Sequence, residues 1–398
     1  MISSTLFQVA FVLSTSFALY WLLPRNLRIG FLALVSVGLL FRMEPVGTCV
    51  LAGWSTLFYL LVPRVTAKGS MQWRWVGPAL ILGILGYLAY YKYIPPLVAA
   101  WASNPIEEKV VLPLGISYFT FKLIHYAVEV GRGNINDRNP QQFFCYIFLF
   151  PIFTAGPIER FDHFLANQEE RWSLRSTVEG LTRIIHGLIK KFVLAAAVWA
   201  LVEQTGDAEY LLSHLSELFT FQVWLYCALV FLYVYFDFSA YSDIAIGSAR
   251  LFGLRIMENF DWPIFAPNIG DFWARWHMTL ARWCQVYVYM PTIGLTRNPY
   301  LAVYASFLAI GLWHAGSMNF VLWGLYHATA VAVYQAWRQL KRRCRWRFQD
   351  RYPWRCFSVP LTLLVVVGSF ACTAPPESCH ALDGLRVLCK LIAVELPT

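Results

Sequence analysis

Two histidines, His277 and His314, are the residues of this sequence best suited to catalysis. His277 lies in the aromatic and cationic stretch 271–280, and His314 ends the apolar run 299–313. An imidazole titrates near neutral pH and can take a proton from an attacking hydroxyl group. We therefore expect His314 to act directly on a reacting group, with His277 in support.

A buried histidine can also be a neutral packing residue that hydrogen-bonds to a nearby carbonyl group. His314 lies between Trp313 and a turn of small residues that leads to Asn319, where an imidazole has few structural uses. Ionisable side chains in apolar segments are costly and usually functional. By contrast, His125 and His327 lie on otherwise apolar stretches, and we interpret them as packing or supporting residues.

Asp237 and Asp243 directly follow a long apolar run and allow two interpretations. They could mark the start of a helix, where carboxylates favour the free amide groups, or they could orient a catalytic or ligand-binding group. The arginines that follow could fix membrane topology or bind a phosphate-rich ligand. These arginines are Arg250, Arg255, Arg275 and Arg282.

Several familiar catalytic motifs are missing from the sequence. It has no glycine-rich dinucleotide fingerprint, no P-loop and no Gly-x-Ser-x-Gly elbow, which argues against nucleotide hydrolysis and serine hydrolase chemistry. Its nine cysteines include no Cys-x-x-Cys pair and no zinc-ligand spacing. We therefore expect neither a metal site nor a tightly bound cofactor.

Composition places the chain among membrane proteins. Hydrophobic residues make up 58% and charged residues 14% of its 398 residues, whereas soluble proteins carry about 25% charged residues. Several apolar runs approach the ~20 residues that a helix needs to cross a bilayer. The net charge of +9 fits basic cytoplasmic loops better than nucleic-acid binding, because no basic domain lies outside the apolar runs.

The distribution of charge predicts which loops face the cytoplasm. Lys and Arg concentrate in segments such as 171–191, 250–282 and 338–355, which the positive-inside rule places in the cytoplasm. Segment 203–217 carries acidic residues without Lys or Arg and is predicted to lie outside, as is 93–109. The N-terminus then also lies outside.

One apolar stretch breaks this alternation. Residues 143–155 are too few to span a bilayer, contain Pro151, and have basic flanks on both sides, which predicts a re-entrant hairpin. The sequence thus predicts an all-α polytopic membrane protein with about ten spans, re-entrant pieces and a single domain over residues 1–398. Cys372 and Cys379 would lie outside the membrane, as two thiols or as a disulfide.

The motifs around these residues resemble the membrane-bound O-acyltransferase family, especially its bacterial branch that acylates cell-surface polymers. The resemblance runs from about residue 112 to 337 and includes PLGISYFTF from Pro113, AGPIER from Ala155, RWHMTL from Arg275 and GLWHA from Gly311. The family's essential histidine matches His314, and its second histidine matches His277. The order and spacing of these motifs together make the match specific.

The resemblance implies a ring of tilted helices around a central tunnel, with a cytoplasmic entry for the acyl donor. It implies that His314 is the general base or acyl relay, and that Trp276 and Trp313 wall the tunnel. Arg275, Asp237, Asp243 and Asn319 would bind the donor or substrate, or line the tunnel. The sequence departs from the family pattern at Ala315, at Gln285 with Val286, and around 370–376.

We therefore expect O-acetylation of an extracellular or cell-wall polysaccharide, with acetyl-CoA as donor and a separate extracytoplasmic acetyltransferase as partner. The expected location is the bacterial inner membrane. Two alternatives share the fold: peptidoglycan O-acetylation, and D-alanyl transfer from a carrier-protein thioester to teichoic acid. A proton-coupled transporter is a rival from another class, but it should show inverted repeats, and the sequence shows none.

Overall fold

The chain is helical, as predicted. The computed structural model describes residues 2–65, 73–95, 113–136, 139–153, 155–345, 352–373 and 381–393. Within these ranges the only β pairing is one isolated bridge between Gln168 and Leu254. The residues divide into two compact units, 1–188 with 241–258 and 189–240 with 259–398, and each is described separately.

The first unit contains eight helices in the part of the chain that the structure describes. They are α1 (Ile2–Leu22), α2 (Arg25–Met43), α3 (Pro45–Val65), α4 (Trp73–Lys92), α5 (Ile116–Gly131), α6 (Pro140–Phe148), α7 (Phe161–Ala166) and α8 (Leu174–Ile189).

The long helix α11 contributes residues 220–240 to the second unit and its last turns to the first. The helices that follow α8 are α9 (Ala196–Thr205), α10 (Ala208–Ser213), α11 (Thr220–Leu251), α12 (Ile269–Arg275), α13 (Met278–Cys284), α14 (Met290–Thr296), α15 (Pro299–His314), α16 (Met318–Arg343), α17 (Tyr352–Ser369) and α18 (Ala381–Leu391).

Several helical segments suit a membrane. Among the described residues, five are long and apolar enough to cross a bilayer: Arg25–Met43, Pro45–Val62, Leu174–Ser213, Thr220–Leu251 and Arg355–Cys372. This agrees with a polytopic membrane fold. These five are counted among the described residues alone, so the predicted total of about ten spans stays a prediction. Helix α15 has only 16 residues, and α16 ends in cations.

Helix α6 and the 3₁₀ turn Phe150–Ile152 form the short segment predicted as re-entrant. Most of their side chains are buried. A short helix leaves carbonyl groups without helical partners, and here Lys122 Nζ donates to the carbonyl oxygens of Tyr146 at 3.0 Å and Ile147 at 3.3 Å. Ser36 Oγ accepts from the amide of Phe150 at 3.1 Å. The surrounding protein therefore satisfies this irregular backbone, which a re-entrant segment requires.

Residues 171–191 do not form the predicted basic loop, because most of them belong to α8. This helix exposes its apolar side chains and buries small ones such as Gly180. A side chain on Gly247 would come within 2.5 Å of the Gly180 carbonyl oxygen, so α8 and α11 cross at close contact through glycines. The exposed stripe on α8 consists of Leu174, Val178, Leu181, Ile185 and Ile189.

Asp237 and Asp243 lie within α11, and the prediction that they mark a helix start is wrong. The helix continues past both carboxylates because cations neutralise them: Lys191 pairs with Asp237, and Arg183 pairs with Asp243 at 2.5 Å. Arg183 also reaches Glu258 at 2.6 Å. The sequence could not predict these pairs, because their partners are about 50 to 75 positions away.

Cys372 is a buried free thiol at the end of the turn that follows α17. Its predicted alternative disulfide partner, Cys379, lies outside the described residues.

Candidate active site

His314 lies at the end of a tight helical hairpin formed by α15 and α16. Helix α15 begins where Asn298 Oδ1 accepts the amides of Tyr300 and Leu301, and it ends at His314. A side chain on Gly311 would lie 2.3 Å from the carbonyl oxygen of Phe320, so only glycine permits this close approach. The hairpin predicted from sequence is therefore confirmed.

The His314 imidazole is exposed and has aromatic neighbours. Its ring centroid lies 4.8 Å from Trp313, 5.4 Å from Phe320 and 5.3 Å from Trp323, with Phe320 stacked and the two indoles edge-on. The side chain is thus positioned by rings and open to an incoming molecule.

His277 also contacts the Trp313 indole. Its ring centroid is 5.6 Å from Trp313 and 4.7 Å from Phe238. The side chain is 2% exposed, and neither ring nitrogen has a hydrogen-bond partner among the described residues. A charge buried without a partner is very costly, so this imidazole is neutral and can still bond to a bound ligand.

The backbone at His277 has an unusual conformation. Its φ of 41° and ψ of 52° lie in the left-handed region, which costs an ordinary side chain about 1–2 kcal/mol. Asn259, which is fully buried, holds the segment: its carbonyl accepts the amide of Met278 at 2.9 Å, and its side-chain oxygen accepts Thr279 Oγ1 at 2.6 Å. Such strain is typical of functional sites.

Trp276 forms part of an aromatic wall built on one face of α11. Its ring stacks on Phe231 at 5.8 Å and on Phe272 at 5.5 Å, and it meets Phe260 edge-on at 5.1 Å. Tyr235 lies 6.0 Å away. Because indoles and phenyl rings exclude water, a reactive thioester beside this wall would be protected from hydrolysis.

The turn between α15 and α16 contains further polar atoms without partners. Ser317 Oγ and Asn319 Oδ1 are both buried, and neither has a hydrogen-bond partner in the described ranges. Buried polar atoms are nearly always bonded. Two such atoms within five residues of His314 are therefore available to bond to a bound molecule or to water.

The remaining predicted site residues form ion pairs. Arg275 Nε donates to Asp271 at 2.9 Å, one helical turn away on α12, and its guanidinium lies 4.0 Å from Asp261. Asp237 is held by Lys191 within the second unit, and Asp243 belongs to the first unit. The structure gives these three residues electrostatic partners and leaves their predicted part in donor binding untested.

His125 and His327 are packing histidines, as predicted. His125 Nε2 accepts the amide of Phe161 at 3.0 Å, and His327 Nδ1 accepts the Trp273 indole N–H at 3.3 Å. Both side chains are 1% exposed.

The structure adds site residues that the sequence did not single out. Phe238, Asn259, Ser317, Phe320 and Trp323 all contact or position the two histidines or lie beside them. Phe320 and Trp323 follow the turn by one or two helical turns, and that spacing could have identified them. Asn259 could not be found in this way, because its role depends on a contact across 20 positions.

The chain matches known proteins over most of its length. The model of MBOAT, the membrane-bound O-acyltransferase family, matches residues 81–374. A relative named "Probable alginate O-acetylase AlgI" from Azotobacter vinelandii is 31% identical over 71% of this chain and 58% of the relative. A peptidoglycan O-acetyltransferase of Helicobacter pylori is 30% identical over 69% of this chain and 58% of the relative.

A teichoic acid D-alanyltransferase of Bacillus subtilis is 24% identical over 85% of this chain and 86% of the relative. The chain spans little more than half the length of the alginate relatives, 58% for the protein of Azotobacter vinelandii. The family match covers both histidines and all the helices that position them. The chain belongs to the membrane-bound O-acyltransferase family, with a polytopic, all-helical membrane fold.

Proposed function

We propose that this protein transfers an acetyl group from cytoplasmic acetyl-CoA across the bacterial inner membrane for O-acetylation of an extracellular or cell-wall polysaccharide. The observation that carries the proposal is the pair of imidazoles that both contact Trp313, one exposed and one buried without a hydrogen-bond partner among the described residues. Acyl transfer needs a base for the attacking hydroxyl and a dry place for the donor.

In this mechanism the exposed His314 accepts the proton of the attacking hydroxyl. The hydroxyl oxygen forms a bond to the acetyl carbonyl carbon, the carbon–sulfur bond breaks, and the departing CoA sulfur receives the proton from the imidazolium. His314 is the last residue of α15, where the negative end of the helix dipole favours the transient positive charge. The exposed position lets the acceptor reach the imidazole.

His277 acts as a donor-side positioning residue. Its neutral ring can bond a polar group of the acyl donor, because its nitrogens lack protein partners within the described residues. Ser317 and Asn319 offer a hydroxyl and an amide near His314 for the polar groups of the reacting molecule. Trp276 and Trp313 wall the site, and Arg275 provides a cation for a phosphate of the donor.

The partners follow from the direction of transfer. A polymer outside the membrane is too large to enter a helical site, so a separate extracytoplasmic acetyltransferase would carry the acetyl group to it. The alginate relatives support a polysaccharide acceptor through their names. The relative from Helicobacter pylori supports peptidoglycan as an alternative acceptor.

D-alanyl transfer from a carrier-protein thioester to teichoic acid is the second candidate function. The match to this chain spans 86% of the length of the relative with that name, a larger share than in the alginate relatives. The same histidines would serve, because a D-alanyl thioester and an acetyl thioester are attacked at the same carbonyl carbon.

A donor experiment tests the proposal. The purified chain in lipid vesicles is incubated with radiolabelled acetyl-CoA or with radiolabelled D-alanyl carrier protein, together with envelope polysaccharide and the extracytoplasmic protein fraction of the same cells, which supplies the partner acetyltransferase. Release of free CoA and base-labile label on the polymer from acetyl-CoA alone is expected. Turnover of the D-alanyl carrier alone would show that D-alanyl transfer, the second candidate function, is correct instead of acetylation. Turnover of neither donor would contradict acyl transfer by this chain.

A further inference from the structure

A large apolar cavity lies in the second unit, apart from the two histidines. Its volume is about 770 Å³, within the range of roughly 300–1,000 Å³ typical of ligand sites. The lining comes from α12, α16, α17 and α18 and from the turn after α17, and it includes neither His277 nor His314. No Asp, Glu, Lys, Arg or His takes part in the lining.

The cavity follows α16 and reaches the protein surface. Its wall on this helix runs from Leu322 to Trp337, which corresponds to about 22 Å at 1.5 Å per residue. Val333 is 63% exposed and Leu361 on α17 is 64% exposed, and both line the cavity. An apolar opening on the surface of a membrane protein favours lipid, and a wall of about 22 Å is long enough for one lipid chain, which spans half of a ~30 Å hydrocarbon core.

At one end of the cavity, each of two aromatic rings lies near a cation. The guanidinium of Arg338 lies 5.9 Å from the Tyr334 ring centroid, and Lys341 Nζ lies 5.9 Å from that of Trp337. Both rings line the cavity. Tyr and Trp concentrate at the level of lipid headgroups, and cations near the cytoplasmic leaflet attract anionic lipids.

These cations have no carboxylate partner in the part of the chain that the structure describes. The last turn of α16 contains Lys341, Arg342 and Arg343, one turn beyond Arg338, and none of the four forms an ion pair with another described residue. Elsewhere in the protein, Arg183, Arg250 and Arg275 all have such partners. An apolar slot beside a cluster of cations complements a molecule with an apolar tail and an anionic head.

We propose that this cavity binds one acyl chain of an anionic phospholipid from the cytoplasmic leaflet, with the headgroup phosphate on Arg338 and Lys341. The site is independent of the catalytic assignment. The lipid would pack between α16 and α17 and stabilise the wall of the hairpin that bears His314. A second protein helix fits the observations less well, because it would not need a cluster of cations at one end.

Native mass spectrometry of the purified chain tests this proposal. The protein is exchanged into detergent with phosphatidylglycerol or with phosphatidylcholine, and retained lipid is measured. Retention of phosphatidylglycerol in preference to phosphatidylcholine is expected. The Arg338→Gln/Lys341→Gln variant should bind phosphatidylglycerol about 30-fold more weakly, since each cation near an anionic surface contributes about fivefold. Arg342→Gln/Arg343→Gln is the matched control and should lose less.

A second pair of variants tests the cavity itself. Ala330 lines the cavity, whereas Ala336 lies exposed on the same helix outside it. Ala330→Trp should fill the slot and reduce retained lipid about tenfold or more, and Ala336→Trp should not. Equal binding of the two lipids, unchanged binding in Ala330→Trp, displacement of lipid by acetyl-CoA, or a co-purified polypeptide in the slot would each overturn the proposal. If Ala330→Trp does not fold, the charge variants decide.

Discussion

His277 combines two unfavourable features in one residue. Its imidazole is buried without hydrogen bonds to described residues, and its backbone adopts a left-handed conformation. The sequence identified this histidine and His314 because ionisable groups stand out in an apolar chain. It could not identify the strained backbone or its support by Asn259, since neither leaves a local pattern. Both features cost free energy in the folded state, and such costs are typical of functional sites.

Two substitutions separate the backbone of His277 from its ring. Asn tolerates the left-handed region, whereas a β-branched Val does not. We expect His277→Asn and His277→Val both to slow acyl transfer, but only His277→Val to lower the free energy of unfolding, by about 1 kcal/mol or more. Thermal unfolding in detergent measures the difference. Equal stability of the two variants would show that the backbone conformation is not strained.

At the scale of elements, the close crossing of α8 and α11 depends on two glycines. The carbonyl oxygen of Gly247 lies where a side chain on Gly180 would come within 2.8 Å. The sequence showed an apolar run in α11 and a basic segment in α8, but not that the two touch. Helix contacts between distant segments depend on which small residues meet, and one sequence does not reveal that.

The crossing predicts opposite effects for the same substitution at two helical glycines. Gly247→Ala should destabilise the protein, by about 1–3 kcal/mol, because the new methyl group meets backbone atoms. Gly53→Ala on α3, where nothing lies within 4 Å, should be neutral or stabilise the helix by up to about 1 kcal/mol. Thermal unfolding of the two variants provides the comparison. A Gly247→Ala protein as stable as wild type would disprove close packing here.

The Glu169 carboxylate accepts hydrogen bonds from Ser176 on α8 and from Arg250 on α11. It lies outside the candidate spans. Burial alone would raise the pKa of its carboxyl group, but the hydrogen bonds from Ser176 and Arg250 and the charges of Arg250 and Arg255 outweigh this, so the pKa lies below its usual value of 4.5. A carboxylate with a lowered pKa contributes stability above the unfolded pKa and loses it as pH falls through the folded pKa.

The Glu169→Gln variant should therefore be less stable than wild type at neutral pH. The difference should shrink as pH falls below 4.5, the usual carboxyl value, because wild type then also becomes neutral at this position. Unfolding in detergent across this pH range measures it. Glu170→Gln, at a neighbouring carboxylate whose side chain is 75% exposed, should have little effect. A pH-independent difference for Glu169→Gln would exclude a role for its charge.

At the scale of the whole molecule, the sequence predicted the all-helical membrane class and the family correctly. Composition and apolar run length determine that class, and ordered motifs determine the family. Five candidate spans lie among the described residues, and the total of about ten stays a prediction. The predicted topology places the C-terminal end of α16 in the cytoplasm and residues 203–217 outside, and it remains a prediction.

Labelling with a membrane-impermeant maleimide tests this topology. Cys344 and Ser213 are both exposed, at the cationic end of α16 and in the acidic segment, respectively. In a background with the other cysteines replaced, Ser213→Cys should react in intact cells, and Cys344 only after permeabilisation. The reverse pattern would invert the membrane orientation and, with it, the side from which the donor enters.

The most direct test of the central claim is the ester content of the cell surface when His314 is replaced. Acetate released by mild base from isolated surface polymer would be measured for wild type, His314→Ala and the control His214→Ala, whose half-buried ring stacks on Tyr210, at equal amounts in the membrane. Removing a general base lowers rates by about 10²–10⁴-fold, so His314→Ala should reduce released acetate to background while His214→Ala matches wild type. Wild-type acetate from His314→Ala cells would contradict acyl transfer at this histidine.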